Sequence, residues 1–281
     1  MTTVKAEEKH VSVNGVRLRY LDWGTPGKTP MVCLHGHTGQ AHIWDEFAEE
    51  MSGHYHVFAV DQRGHGESGW ADDGYARDRF VEDLAAFVDA LGLRRFVLVG
   101  LSMGGWHSLL YTAENPDRVD RMVIVDIAPE LSAISIEMMG SRPPTPIEFA
   151  TLDAAVQSAR EGNPWATDTR LRKDVEDRLR QRDDGAWTWK ADSKLFSVPL
   201  PDMTDQTIIS RYWNALERVR CPILEVRGGE SVLVSDEILE RMKSAAKDLT
   251  SVDVPGAGHV VTVDKPAEFI EATRAFLEVS A

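Results

Sequence analysis

Phe96-Val97-Leu98-Val99-Gly100-Leu101-Ser102-Met103-Gly104 carries more information about this chain than any other stretch of it. Apolar β-formers run into a serine flanked by glycines, and the segment from Trp106 to Glu114 that follows has a helical pattern. A G-x-S-x-G match alone is weak, because such pentapeptides arise by chance. A strand before it and a helix after it supply the missing context. The serine then sits on a sharp turn, and the glycines leave room for strand and helix to approach. A plain strand-to-helix turn with a hydrogen-bonding serine is the competing interpretation.

Outward from this segment, short apolar runs alternate with helical patterns. The runs are Met31–Leu34, Val57–Val60, Met122–Val125, Ile223–Val226 and Ser251–Val254. Runs without polar alternation suit strands covered on both faces, as in a parallel sheet. Phe80, Val81, Leu84, Phe87, Val88 and Leu91 have helical spacing, with Gly92 as the stop. Phe269, Ile270, Thr273, Phe276 and Leu277 repeat that spacing after Pro266. Near the N-terminus, Val11, Val13, Val16, Leu18 and Tyr20 flank Asn14-Gly15, a tight-turn pair that predicts a hairpin. The whole pattern predicts an α/β fold with a mostly parallel sheet and helices on both faces.

The alternation breaks between about Ala128 and Gln206. Residues 129–206 are expected to form a helix-rich cap inserted into a core made of residues 1–128 and 207–281, with a charged helix from Arg170 to Arg182. Trp165, Trp187, Trp189 and Phe196 in that insertion, with Tyr212 and Trp213 after it, could line an apolar pocket. At least half of them are expected simply to pack the cap onto the core. Arg and Lys of the insertion could pair a substrate carboxylate, although a solvated helix face explains them equally well.

Composition removes several classes. The 281 residues hold 31 Lys and Arg against 45 Asp and Glu, a net charge of −14. This acidic balance argues against broad binding of nucleic-acid phosphates. No run of about 18 apolar residues exists to span a membrane. Residues Met1 to His10 lack the apolar core of a secretory signal, so a cytoplasmic location is the expectation. Cys33 and Cys221 lie in strand-like runs and read as buried thiols.

Three further motifs accompany the serine turn, and together the four resemble the α/β-hydrolase superfamily from about Val11 to Leu277. His35-Gly36-His37-Thr38-Gly39 follows the first central strand, where that family keeps its oxyanion loop. Asp61-Gln62-Arg63-Gly64-His65-Gly66-Glu67-Ser68 matches its D-x-R-G-x-G-x-S loop. Pro255-Gly256-Ala257-Gly258-His259 matches the turn that carries its histidine. The resemblance implies a serine hydrolase acting on a small-molecule ester, lactone or amide. Ser102 is the implied nucleophile, His259 the base, and the backbone N–H groups of His37 and Met103 the oxyanion donors. No metal or organic cofactor is implied. His107, on the helix after the serine, is a weaker candidate base. Gly64–Gly69 also fits G-x-G-x-x-G, but Trp70–Gly74 separates it from the next helix, unlike a dinucleotide loop. His35, His37 and His42 have a ligand-like spacing without accompanying Asp or Cys, which disfavours zinc.

The acid departs from the family pattern. Its usual positions, three or four residues past Gly228, are Ser231 and Val232 here, neither able to orient an imidazolium. Glu230 and Asp236 are off register. Asp126, at the end of the Met122–Val125 strand, can face the same cleft and is the preferred acid, with Glu230 as the alternative. A polar strand-end residue capping the Ala128-Pro129 turn would explain Asp126 without chemistry. Carbon–carbon bond hydrolases and cofactor-free perhydrolases share this look, and a non-catalytic ligand receptor would keep only the pocket.

Overall fold

The computed structural model describes residues 5–141, 145–197 and 204–278. Asn14 (φ 47°) and Gly15 (φ 78°) form the expected tight turn between β1 (Glu7–Val13) and β2 (Val16–Trp23). The central run follows: β3 (Thr29–Leu34), α1 (Asp45–Met51), β4 (Tyr55–Val60), α2 (Arg77–Ala90), β5 (Phe96–Leu101), α3 (Met103–Glu114) and β6 (Val119–Val125). These strands join two later ones in an eight-stranded sheet, whose order is given below. Every residue of β5 is buried, as a strand covered on both faces requires.

Side chains leave the sheet alternately toward two cores. Val32, Leu34, Leu98 and Ile124 point to the layer holding α2 and α3, with Phe80, Phe87 and Leu109. Met31, Cys33, Val99 and Val125 point to the opposite layer, where Trp44, Phe47 and Phe269 pack. Cys33 and Cys221 are both buried free thiols.

Between β6 and the return to the sheet lie α4 (Ala133–Ser141), β7 (Glu148–Phe149), α5 (Leu152–Gly162), α6 (Asp168–Arg178), β8 (Leu179–Gln181), β9 (Trp187–Trp189), α7 (Lys194–Ser197) and α8 (Gln206–Arg218). This segment is less helical than the sequence suggests. The charged helix ends at Arg178, and the next residues form an antiparallel sheet in the order β7-β9-β8. The reason is local. Asp184-Gly185, with Gly185 at φ 87°, closes a turn in which Arg182 N–H donates to Ala186 O at 2.7 Å, and Trp187-Thr188-Trp189 prefers a strand. Val175, Leu179, Trp189 and Leu195 of this segment share one apolar cluster with the main core.

The chain then completes the large sheet with β10 (Ile223–Gly228) and β11 (Leu249–Val254), separated by α9 (Asp236–Ala245) and followed by α10 (Val261–Asp264) and α11 (Pro266–Leu277). The order is β1-β2-β4-β3-β5-β6-β10-β11, parallel from β4 to β11. The chain leaves β3 for β4 on one side and returns to β5 on the other. This reversal opens a crevice at the carboxyl ends of β3 and β5, the place where open α/β sheets bind ligands. Among the described residues, no helix is long and apolar enough to cross a membrane.

The Asp61–Ser68 loop is structural. Asp61 accepts from Ala41 N–H (2.6 Å), Glu67 N–H (2.8 Å) and Arg19 (3.0 Å), and a Cβ on Gly66 would lie 2.1 Å from its carboxylate. Arg63 is fully buried and bonds Asp83 through two nitrogens, at 2.6 and 2.8 Å. Asp83 also accepts from Asn14 of the hairpin turn at 3.0 Å. Removing one partner of a buried pair strands the other charge, so Asp83→Ala should destabilise the fold by about 3 kcal/mol in urea unfolding. The remaining Asp73 contact to Arg63, at 2.9 Å, keeps the loss at the low end. A change below about 0.5 kcal/mol would contradict this account.

Candidate active site

Ser102 occupies the turn from β5 into α3 with φ 52° and ψ −118°, a conformation that a non-glycine residue adopts only when its surroundings impose it. They do so through close backbone approaches. A Cβ on Gly104 would lie 2.3 Å from Leu34 O, and one on Gly100 would lie 2.5 Å from Gly104 O. The first turn of α3 therefore presses against the ends of β3 and β5. Gly36 sits on the other flank of the serine, where a side chain would meet Ser102 Cβ at 3.2 Å.

The His35–Gly39 loop is clamped from below. Gln62 N–H donates to His35 Nε2 at 3.0 Å, and the Gln62 amide donates to His35 O at 2.7 Å. The His107 ring, on α3, lies 2.7 Å from the Gln62 carbonyl and stacks on Phe80. His107 is thus a buried support of this loop, away from the role of base. Burial holds His35, His65 and His107 below the ordinary histidine range, and His37 is lowered to about 4, chiefly by burial and further by its neighbours His35 and Arg77. At neutral pH the loop is surrounded by uncharged imidazoles. His42 lies apart from them, against Asp45 and Arg19. Among the described residues, no three His, Cys, Asp or Glu side chains gather so as to hold a metal ion.

His259 follows β11 on the turn Pro255–Gly258, with Gly256 at φ 72°. Its Nδ1 lies 2.7 Å from Asp126 Oδ2. Asp126 is fully buried at the end of β6, at φ 50°. The carboxylate also accepts from Ser231 Oγ at 2.5 Å and from Gly228 N–H at 3.2 Å. Ser231, standing where the acid was looked for first, thus serves as a donor to Asp126. Glu230 is exposed, and Asp236 pairs with Arg227. Backbone bonding links this pair to the serine, because Ser102 N–H donates to Val125 O at 3.0 Å, one residue before Asp126. His259 and Asp126 are thus paired at the carboxyl edge of the sheet, and Ser102 stands at the end of β5, the strand beside β6. The N–H of Met103 is one of the unsatisfied donors at the start of α3, and His37 lies across the crevice.

The aromatic residues divide as follows. Trp189 is buried, donating to Pro146 O and packing on Phe149 and Phe196. Phe196 reaches the edge of the His37 ring. Trp106 stacks on Tyr212 and donates to Ala128 O at 2.8 Å. Trp165 covers Gly258, where a Cβ would meet the indole at 2.1 Å. Asn163 donates to Asp264 at 2.7 Å, and Asp264 accepts from Gly258 N–H at 2.8 Å. The inserted segment therefore grips the histidine turn. The sequence held no local signal for this contact.

Sequence reasoning also passed over Glu225, a lone acid in the apolar run of β10. It is fully buried beside Asp126, and its Oε1 accepts from Ile127 N–H at 3.2 Å while Oε2 has no partner. Burial first, and the Asp126 charge second, push its pKa well above the carboxylate range. Glu225 therefore holds its proton more strongly than an ordinary carboxyl group does, next to Asp126 beneath His259.

The family comparison agrees with the architecture. The profile of the alpha/beta hydrolase fold family matches residues 29–266, and the chain belongs to that family. It is 28% identical to the 3-hydroxybutyrate-oligomer hydrolase of Cupriavidus necator, over 92% of this chain and 92% of the relative. It is 30% identical to an esterase of Mycobacterium tuberculosis, over 92% of this chain and 85% of that one. The crystal structure of E-2-(acetamidomethylene)succinate hydrolase superposes with a TM-score of 0.85 at 26% identity, covering 98% of this chain and 100% of the other. These relatives support hydrolase activity.

A raised carboxyl pKa gives the pH dependence of Glu225 a definite sign. The unfolded chain releases this proton near pH 4.5 while the folded chain keeps it, so the residue costs stability increasingly as pH rises above that point. Glu225→Gln should therefore gain in melting temperature over wild type from pH 5 to pH 8, with little difference at pH 4. A gap that is constant across this range would show that Glu225 is not held neutral.

Proposed function

We propose that the chain is a serine hydrolase cleaving a small carboxylic ester, lactone or amide through an acyl-enzyme. The hydrogen bond from His259 Nδ1 to the buried Asp126, beside a serine held on a strained turn, carries this reading. As His259 Nε2 takes its proton, Ser102 Oγ attacks the acyl carbon. Asp126 fixes the tautomer and stabilises the imidazolium as it forms. The N–H groups of His37 and Met103 meet the oxyanion of the tetrahedral intermediate, a contribution worth about 3–4 kcal/mol per donor. Collapse expels the alcohol or amine, protonated by His259. Water, activated by the same imidazole, then attacks the acyl carbon, and the acid departs as Ser102 recovers its proton.

The catalytic core is assigned to residues 1–128 and 207–281, with residues 129–206 as the cap over the crevice. No metal or organic cofactor enters these steps, and the only partner required is the small-molecule substrate.

Hydrolysis of p-nitrophenyl butyrate tests the assignment. Ser102→Ala should lower kcat by at least about 10⁴-fold while remaining folded. Asp126→Asn should fall by about 10⁴-fold, because the amide favours the wrong tautomer. Glu230→Gln should turn over like wild type. Loss in Glu230→Gln with retention in Asp126→Asn would move the acid to Glu230.

A further inference from the structure

Arg77, the first residue of α2, is half-buried and has no carboxylate partner among the described residues. This is unusual in a chain with 45 acids for 31 bases. The other well-covered arginines have theirs: Arg19 holds Glu8 and Asp61, Arg63 holds Asp73 and Asp83, and Arg227 holds Asp236 and Asp253. The Arg77 guanidinium instead lies 4.3 Å over the Trp106 ring and donates through Nη1 to the Tyr212 hydroxyl. The guanidinium forms no other hydrogen bond among the described residues.

Through Trp106 the guanidinium lies close to the serine turn. Trp106 is the fourth residue after Ser102, about 6 Å along the helix axis, and its N–H donates to Ser102 O at 3.1 Å. On the other side, Arg77 is near enough to His37 to help keep that imidazole uncharged. Arg211, the cation whose charge bears on Arg77, is paired with Asp78. Among the described residues, Arg77 is thus a positive charge without an acidic partner, oriented by two aromatic rings and close to His37 and His107.

Resting on the serine-hydrolase reading above, the geometry points to Arg77 as the anchor for a free carboxylate carried by the substrate, distinct from the acyl group that is cleaved. A stacked, planar guanidinium with unused donors matches a carboxylate in shape. One cation in otherwise neutral surroundings suits a monoanion better than a phosphate ester. Removing a carboxylate-bearing substrate from water is costly unless it meets such a partner, so the site selects by charge as well as by shape.

Binding and turnover test this separately. Methyl half-esters of malonate, succinate, glutarate and adipate, with the corresponding dimethyl esters, are titrated calorimetrically into Ser102→Ala. At least one half-ester should bind roughly ten- to a hundredfold more tightly than its diester. Adding Arg77→Gln should bring that ratio toward one, and Arg77→Lys should keep part of it. In wild type, kcat/KM for mono-p-nitrophenyl glutarate over p-nitrophenyl pentanoate should show the same preference. A brace for Trp106 and Tyr212 alone would lower the melting temperature of Arg77→Gln without changing either ratio, and that result overturns the proposal. So does equal binding of half-ester and diester throughout the series. Selective half-ester binding with no ester turnover in wild type would instead count against the acyl-enzyme reading and leave the Arg77 site standing.

Discussion

The approach of α3 to the ends of β3 and β5 is the constraint on which the site depends. Gly100 and Gly104 bring backbone against backbone at distances that leave no room for a side chain, and Gly36 sits tightly against the Cβ of Ser102. Ser102 is driven into its positive-φ conformation because strand and helix are pinned that closely on either side of it. The same contact sets the His35–Gly39 loop against the serine, so two loops far apart in sequence form one crevice. The His35–Gln62–His107 bonds beneath then hold that loop without a charged group, which keeps the wall of the crevice electrically quiet.

The acidic end of the site has a different physical basis. Asp126 is buried, yet it is fully provided with donors: an imidazole from the turn after β11, and a hydroxyl and a backbone N–H from the end of β10 and the loop after it. That provision offsets the cost of placing a carboxylate in the interior. Glu225, on the neighbouring strand, has one donor for two oxygens and holds its proton more strongly. Two buried carboxyl groups on adjacent strands thus differ in the number of hydrogen-bonding partners each is given.

The parts of the fold and candidate site that are legible in the sequence are those with local signatures. The strand–serine turn–helix, the Asn14-Gly15 hairpin, the Gly-rich turn before His259 and a strand ending in Asp126 all declare themselves within about ten residues. Asp126 could be singled out because Ser231 and Val232 cannot act as acids, but that Ser231 donates to Asp126 depends on folding. The small sheet is hidden by the charged periodicity leading into Arg182, and the Asp184-Gly185 turn that closes it was passed over. Glu225 and Arg77 had no local mark, since an acid in a strand or an arginine at a helix start takes its meaning from what lies across the interior.

The grip of Asn163 and Trp165 on the turn before His259 couples residues 163–165 mechanically to that imidazole. Under the mechanism proposed above, a substrate that fits poorly beneath them would shift Gly258, and with it the imidazole, while Ser102 stays fixed by the glycine contacts on the other side. It would enter with the proton acceptor misaligned, so discrimination by this wall would fall on the catalytic rate more than on affinity.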